Sequence, residues 1–318
     1  MRIGAHLVTL GRMISRRSFL QTVAASSALL PLGSSLLPLS LRGAEPFARP
    51  GKSHLRLALA AYSFRDDFVA GKDGTPAKMD MFRFIDYCAD HGCDGAELTS
   101  YYFPKDVTDR QLADVRRHAH LRGVTISGTA VGNDFCHPDG AVRDQQLAHV
   151  KEWIRKASIL GAPHIRVFAG NVKGATKDEG KKRCIAALEE CGEAAGRAGV
   201  FLGIENHGGI VAESADLIDI VRTTRSPWVG INLDTGNFHT EDPYADLAAI
   251  APWAVNVQYK AYIRRRGQPQ DDPRDDARIF KILRDAGYQG FVALEYELKQ
   301  SPWDRVPVLL NEMKPFMG

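Results

Sequence analysis

The sequence predicts a single (β/α)₈ barrel, an α/β TIM barrel in which each of eight parallel strands is followed by a helix. Three observations carry the prediction. From Leu55 onward, eight apolar runs of strand length alternate with longer amphipathic stretches, and strand-then-helix repetition means a parallel sheet. Gly92, Gly123, Gly161, Gly199 and Gly287 each stand between a helical pattern and the next strand, where helix C-terminal signals belong. Residues 54–318 are also about as many as this fold commonly uses.

Taken in order, strands are expected at 56–62, 94–99, 124–131, 164–169, 201–206, 229–234, 254–260 and 291–295. Helices are expected at 81–90, 109–121, 144–160, 178–198, 214–224, 244–250, 275–286 and 303–316. No second domain, low-complexity tract or linker is indicated. A charged loop, Asp271 to Asp276 after Arg264-Arg265-Arg266, follows the seventh strand. It could help cover a site or simply be solvated.

The first 44 residues read differently. Ser15-Arg16-Arg17-Ser18-Phe19-Leu20 precedes a modest apolar stretch, then small residues and prolines. The order matches a twin-arginine export signal, so residues 1–44 are expected to engage the twin-arginine export machinery and deliver a periplasmic protein. The stretch is too short and interrupted to span a bilayer stably.

Composition narrows the class. The chain has 318 residues, is 44% hydrophobic and 25% charged, which suits a globular protein with a sizeable core. Its formal charge is +3, but Arg2, Arg12, Arg16, Arg17 and Arg42 lie in the leader with no acids. Removing those five leaves −2 for the body. A mildly acidic body speaks against a nucleic-acid partner. Five cysteines spread through one large domain read as buried free thiols, not a disulfide framework. A homo-oligomer is compatible with the sequence but not indicated by it.

The strand ends carry the chemistry. Phe201-Leu202-Gly203-Ile204-Glu205-Asn206-His207 opens apolar and turns acidic at the C-terminal end of its strand, where barrel active sites lie. If Glu205 points inward, Gly203 and His207 share its face, while Ile204 and Asn206 face the helices. The same parity gives Glu97 on the second strand and Asp234 on the sixth. It places Asn256, Gln258 and Lys260 on the seventh, and Glu295 with Glu297 on the eighth. Carboxylates converging from strands five, six and eight raise one another's pKa unless a cation sits among them. The alternative is neutralisation by arginines such as Arg166.

Gly-Ile-Glu-Asn-His at 203–207, Asn-Leu-Asp-Thr-Gly-Asn at 232–237 and Leu-Glu-Tyr-Glu at 294–297 resemble the xylose isomerase-like barrel family. That family includes sugar phosphate isomerases and epimerases, ketose 3-epimerases, inosose dehydratases and endonuclease IV. The resemblance implies a divalent metal held by Glu205, Asp234, Gln258 and Glu295, with Glu205 and Glu295 as the proton-transferring pair. The seventh strand departs from the pattern: His-x-His is common there, and here the pair is Asn256 and Gln258. An all-oxygen shell favours Mn²⁺ or Mg²⁺, with Co²⁺ or Zn²⁺ as further options. The missing histidines count against an endonuclease IV-like trinuclear zinc site.

The expected activity is a metal-dependent isomerase or epimerase that forms an enediolate on a non-phosphorylated keto-sugar, because export fits phosphorylated sugars poorly. A lyase or dehydratase on a 3-keto-glycoside or inosose uses the same enediolate. An endonuclease IV-like nuclease and a non-catalytic sugar-binding barrel are the other classes. His207, Asn237, Lys260, Arg166, Glu97 and Tyr62 are candidates to bind substrate, and Phe135 a further residue to stack on it. Each has an ordinary packing or supporting role as its alternative.

Overall fold

The computed structural model describes residues 45–318 apart from 73, 173 and 269–271. The export signal expected at 1–44 lies outside the described residues. Eight parallel strands close on themselves: β1 (His54–Ala60), β2 (Gly95–Thr99), β3 (Thr125–Ala130), β4 (His164–Phe168), β5 (Phe201–Glu205), β6 (Val229–Asp234), β7 (Ala254–Tyr259) and β8 (Gln289–Leu294). Consecutive strands pair, and β8 closes onto β1 with Leu59 opposite Leu294. The helices between them are α1 (Met81–Asp90), α2 (Asp109–Leu121), α3 (Ala141–Leu160), α4 (Lys177–Ala198), α5 (Ser214–Thr223), α6 (Pro243–Ile250), α7 (Asp276–Asp285) and α8 (Pro302–Met313). The expected barrel is the one observed.

Local chemistry explains the element ends. Asp80 caps α1 through Phe82 N and Arg83 N, and Thr108 with Gln111 and Thr176 with Glu179 form reciprocal capping boxes at α2 and α4. α3 starts at Ala141, three residues before the expected start, so Asp144 sits in its first turn and complements the helix dipole instead of opening the helix. α8 stops at Met313 and tightens to a 3₁₀ turn over Lys314–Phe316, because Pro315 offers no N–H to continue it. β1 ends at Ala60, and a 3₁₀ turn over Ala61–Phe64 carries Tyr62 to the barrel mouth. Part of the charged loop after β7 forms a ribbon, Tyr262–Ile263 antiparallel to Asp272–Pro273.

The strands divide the molecule into two interiors. Outward side chains such as Leu57, Leu98, Ile165, Ile204 and Val257 join the helices in one continuous apolar core. Inside the barrel, Ala58, Ala60, Phe291 and Ala293 on β1 and β8 form a small apolar cluster of their own. Glu97, Asn232, Asn256 and Gln258 are buried polar residues on other inward positions. All five cysteines are free and buried, as expected. Residues 45–53 pack on the barrel too, with Phe47 N bonded to Pro252 O and the Phe47 and Phe201 rings edge-on at 5.7 Å. Among the described residues no helix is long and apolar enough to cross a membrane.

Candidate active site at the barrel mouth

At the C-terminal ends of the strands a polar cavity of about 260 Å³ opens. Glu205, Gln258 and Glu295 line it, and so do Tyr62, Arg166, His207, Asn237 and Lys260. The chain reaches it by parity: β4 and β5 pair with Phe168 opposite Glu205, and β6 and β7 with Asp234 opposite Gln258. Asn206 faces away and clamps the next strand, donating to Asp234 O at 2.9 Å and accepting from Asp234 N at 2.8 Å.

Glu205 is 3% exposed. Its Oε1 accepts from Asn237 Nδ2 at 2.8 Å, and its Oε2 lies 2.9 Å from Arg166 Nε. That Arg166 N–H is not aimed along the line and makes no hydrogen bond, so the pair is a charge contact. Arg166 is otherwise committed: Nη1 donates to Val131 O at 2.9 Å, Nη2 to Tyr101 Oη at 3.1 Å, and the guanidinium lies 3.8 Å from the Phe168 ring centroid. Arg166 thus holds Glu205 in place and has little left for a substrate. Burial pushes the Glu205 carboxyl up to about 7, with Arg166 opposing the rise and Glu295 adding to it.

Lys260 is the second cation, 2% exposed. Its Nζ lies 2.6 Å from Glu295 Oε1, 2.6 Å from Glu297 Oε2 and 3.3 Å from Asp234 Oδ2. Burial acts to neutralise the ammonium, but Asp234, Glu295 and Glu297 outweigh it and hold the proton on. Glycine at 236 is required here, since a Cβ would stand 2.7 Å from Lys260 Cγ. Asp234 is fully buried; its Oδ1 accepts from Gly236 N at 2.8 Å. Its Oδ2 has no hydrogen-bond donor among the described residues. Burial raises the Asp234 carboxyl well above the usual range; Lys260 opposes this, and Glu205 and Glu295 add to it.

Below the cavity the lumen is closed by a ring of four side chains. Gln258 Nε2 donates to Glu97 Oε1 at 2.7 Å, and Asn256 Nδ2 donates to Glu97 Oε2 at 2.7 Å and to Asn232 Oδ1 at 2.9 Å. Asn232 Nδ2 returns to Gln258 Oε1 at 2.7 Å. The strand registers slip beside two of its members, between Ala96 and Glu97 and between Ile231 and Asn232; bulges of this kind re-aim side chains. His164 fits next to the ring because position 128 is glycine, where a Cβ would fall 1.8 Å from its Cε1. Burial lowers the His164 imidazole to about 4, so it stays neutral.

The structure therefore sorts the expected residues. Glu205, Asp234, Lys260 and Glu295 form one electrostatic cluster, and Gln258 joins it from the ring. Tyr62, His207 and Asn237 face the cavity. Glu97, expected to bind substrate, is 0% exposed and lies in the ring, its two oxygens accepting from the Gln258 and Asn256 amides. Phe135 is buried in the core and does not line the cavity. Tyr101 was missed, although an aromatic pair directly after a strand end was its signal. Asn232 was missed as well, its amide at inward parity being the signal.

These side chains as placed pair with Arg166, Asn237 and Lys260, and among the described residues no three of His, Cys, Asp and Glu form a ready metal cluster. The donor chemistry nonetheless suits a hard cation. Carboxylates outnumber the two cations, burial first and neighbouring carboxylates second push Glu205 and Asp234 up, and Asp234 Oδ2, 3.3 Å from Lys260 Nζ, makes no hydrogen bond.

The family model described as xylose isomerase-like TIM barrel matches residues 85–313. By sequence, the chain is 28% identical over 140 residues to a Methanoculleus marisnigri (strain ATCC 35101 / DSM 1498 / JR1) protein named "Probable endonuclease 4", covering 40% of this chain and 47% of that one. The chain thus spans about half the length of that relative. It is 26% identical over 247 residues to a Homo sapiens protein named "Putative hydroxypyruvate isomerase", covering 67% and 87%. Among solved structures, D-psicose 3-epimerase with D-tagatose from Clostridium cellulolyticum H10 superposes with a TM-score of 0.65 at 17% identity, over 77% of this chain and 86% of that one. The 3-keto-D-glucoside 4-epimerase from E. coli gives 0.64 at 16% identity, over 82% and 99%. At such identities these two structures speak to the fold.

Proposed function

The chain belongs to the xylose isomerase-like TIM barrel family, and on that premise we propose that it is a sugar isomerase or epimerase. It works through an enediolate on a non-phosphorylated keto-sugar, uses a divalent cation, Mn²⁺ or Mg²⁺ foremost, and acts after export to the periplasm. The observation that carries the reading is the convergence of Glu205 and Glu295 on one polar cavity from strands three places apart in the barrel. Relatives bearing the names isomerase and epimerase support it.

Isomerisation or epimerisation next to a carbonyl needs a base that removes a proton from carbon and an acid that returns one. Glu205, buried at the end of β5 and lining the cavity, is the base in this reading. Asn237 fixes its Oε1 and Arg166 its Oε2, so the carboxylate meets the substrate in one orientation. Glu295 lines the same cavity just past β8 with its Oε1 on Lys260, whose retained ammonium holds charge steady as the enediolate forms. Glu205, Asp234, Gln258 and Glu295 are the residues that would hold the cation. When bound, that ion would polarise the carbonyl and acidify the neighbouring C–H.

The test is proton exchange in deuterated water with Mn²⁺, using free ketoses and 3-keto-sugars. Deuterium should enter next to the carbonyl, and Glu205→Gln should slow entry by about 10²- to 10⁴-fold. A protein that neither exchanges nor binds Mn²⁺ would sink the enzyme reading. The match to an endonuclease 4 is met by incubation with abasic-site DNA, where efficient metal-dependent incision would replace the sugar reading with a nuclease.

A further inference from the structure

Two of the four residues proposed to hold the divalent cation already face a cation that belongs to the chain. Lys260 Nζ lies 2.6 Å from Glu295 Oε1 and 3.3 Å from Asp234 Oδ2. Its third neighbour, Glu297 Oε2 at 2.6 Å, stands outside the proposed ligand set. We propose that the Lys260 ammonium is a tethered counter-ion: it fills the place between Asp234 and Glu295 until a divalent ion enters, and then turns onto Glu297 at the rim. The proposal rests on the metal-assisted enediolate reading and describes how that same site is loaded.

Charge is the first argument. Asp234 and Glu295 are 0% and 7% exposed, and carboxylates so buried are costly without a cation nearby. Asp234 Oδ2 makes no hydrogen bond, so Lys260 meets it by charge alone. A contact of that kind is open to replacement by another cation. A divalent ion on the same oxygens carries twice the charge and repels the ammonium, so the two are alternatives. Glu297 gives the displaced ammonium a partner, and its side chain, 27% exposed, reaches toward water. Tyr262 Oη steadies that carboxylate, donating to Oε2 at 3.4 Å.

Construction is the second argument. Lys260 N donates to Thr235 Oγ1 at 2.9 Å, which fixes the backbone, and the stem lies against Gly236. The side chain borders the cavity of about 260 Å³, so its outer torsions can turn without disturbing the apolar core. Arg166 has no such freedom. Its two Nη groups donate to Val131 O and Tyr101 Oη, and its guanidinium lies on the Phe168 ring. One buried cation is therefore fixed on Glu205, while the other is a compact charge on a flexible stem. Turned onto Glu297, Lys260 still lines the cavity where the enediolate forms.

The experiment titrates Mn²⁺ by calorimetry into the purified protein after chelator treatment. Lys260→Met should bind Mn²⁺ about tenfold or more tightly than the parent. Lys181→Met, whose ammonium pairs with Asp216 and Asp219 in the helical layer, should bind as the parent does. Glu297→Gln should weaken binding in the parent but not in Lys260→Met, because its role is to receive the lysine; equal weakening in both backgrounds would reduce Lys260 to a background charge and overturn the proposal. A second measurement needs no variant. Lys260 is 2% exposed, and its acetylation by acetic anhydride, read by mass spectrometry, should be several-fold faster with saturating Mg²⁺ than without. Equal affinity of parent and Lys260→Met, with unchanged labelling of Lys260, overturns the exchange and leaves the metal reading standing. Binding by Lys260→Met alone overturns it as well, since the ammonium is then a permanent occupant. Binding by neither protein overturns the metal reading, and the exchange with it.

Discussion

On their outer faces the barrel strands carry Leu57, Leu98, Ile165, Ile204, Ile231 and Val257, all 2% exposed or less and packed on the helices. On their inner faces the same strands carry Glu97, His164, Arg166, Asn232, Asn256 and Gln258, buried as well. Outside, each contact is non-directional, and any side chain of suitable size and apolarity serves. Inside, each contact is a hydrogen bond or ion pair whose loss strands a partner away from water. Burial alone therefore does not distinguish a packing layer from a working one. The difference lies in whether a substitution costs volume or costs a specific partner.

The largest effect on stability is expected from the outer face. Ile204→Ala empties part of a fully buried site and should cost about 2–5 kcal/mol, read from urea unfolding. The exchange rate per folded molecule should stay that of the parent, because the side chain touches the helices and not the cavity. A folded variant with lost exchange would show that the two faces are coupled.

That asymmetry also governs how much could be read from the sequence. Period-two alternation fixes which residues face the helices, so the strands, α1 and α2 fall where their apolar patterns put them, and β6 ends at Asp234 as expected. Parity places Glu205, Asp234, Gln258 and Glu295 inward without any tertiary information. It cannot say which inward group pairs with which. Lys260 between Asp234 and Glu295, Arg166 beneath Glu205, and the bulges that turn Glu97 into the ring are set by partners more than twenty residues away. Glu97 illustrates the limit: its inward parity is correct, but its depth in the lumen is not encoded locally.

An intermediate effect follows from the ring carboxylate. Burial pushes Glu97 up to about 7, with Glu295 adding to the rise and the Gln258 and Asn256 amides opposing it. The unfolded chain releases that proton near its ordinary value, so between the two values the folded state binds more protons. Stability from this group is present below about pH 4.5 and lost as pH rises to about 7, a loss of up to roughly 3 kcal/mol. Urea titrations in chelator across that window should show the fall, to which Glu205 and Asp234 add in the same direction, and it should shrink in Glu97→Gln. Stability that climbs with pH instead would mean that the inner face solvates an ionised carboxylate better than its burial suggests.

The smallest of the three concerns Gln258, the residue that departs from the family's strand-seven pattern. Inserting the common imidazole by Gln258→His removes an acceptor from Asn232 and a donor from Glu97 at once. Two buried polar groups then lose a partner, and we expect a destabilisation of about 1–3 kcal/mol, with no gain in Mn²⁺ affinity by titration, because the imidazole arrives without its supporting shell. A stable Gln258→His protein that binds Mn²⁺ more tightly would show that the ring is a tolerant filler and that the motif can be exchanged one residue at a time. The expected loss would instead mark Glu97, Asn232, Asn256 and Gln258 as a single unit, in which the glutamine is fixed by what lies beneath it.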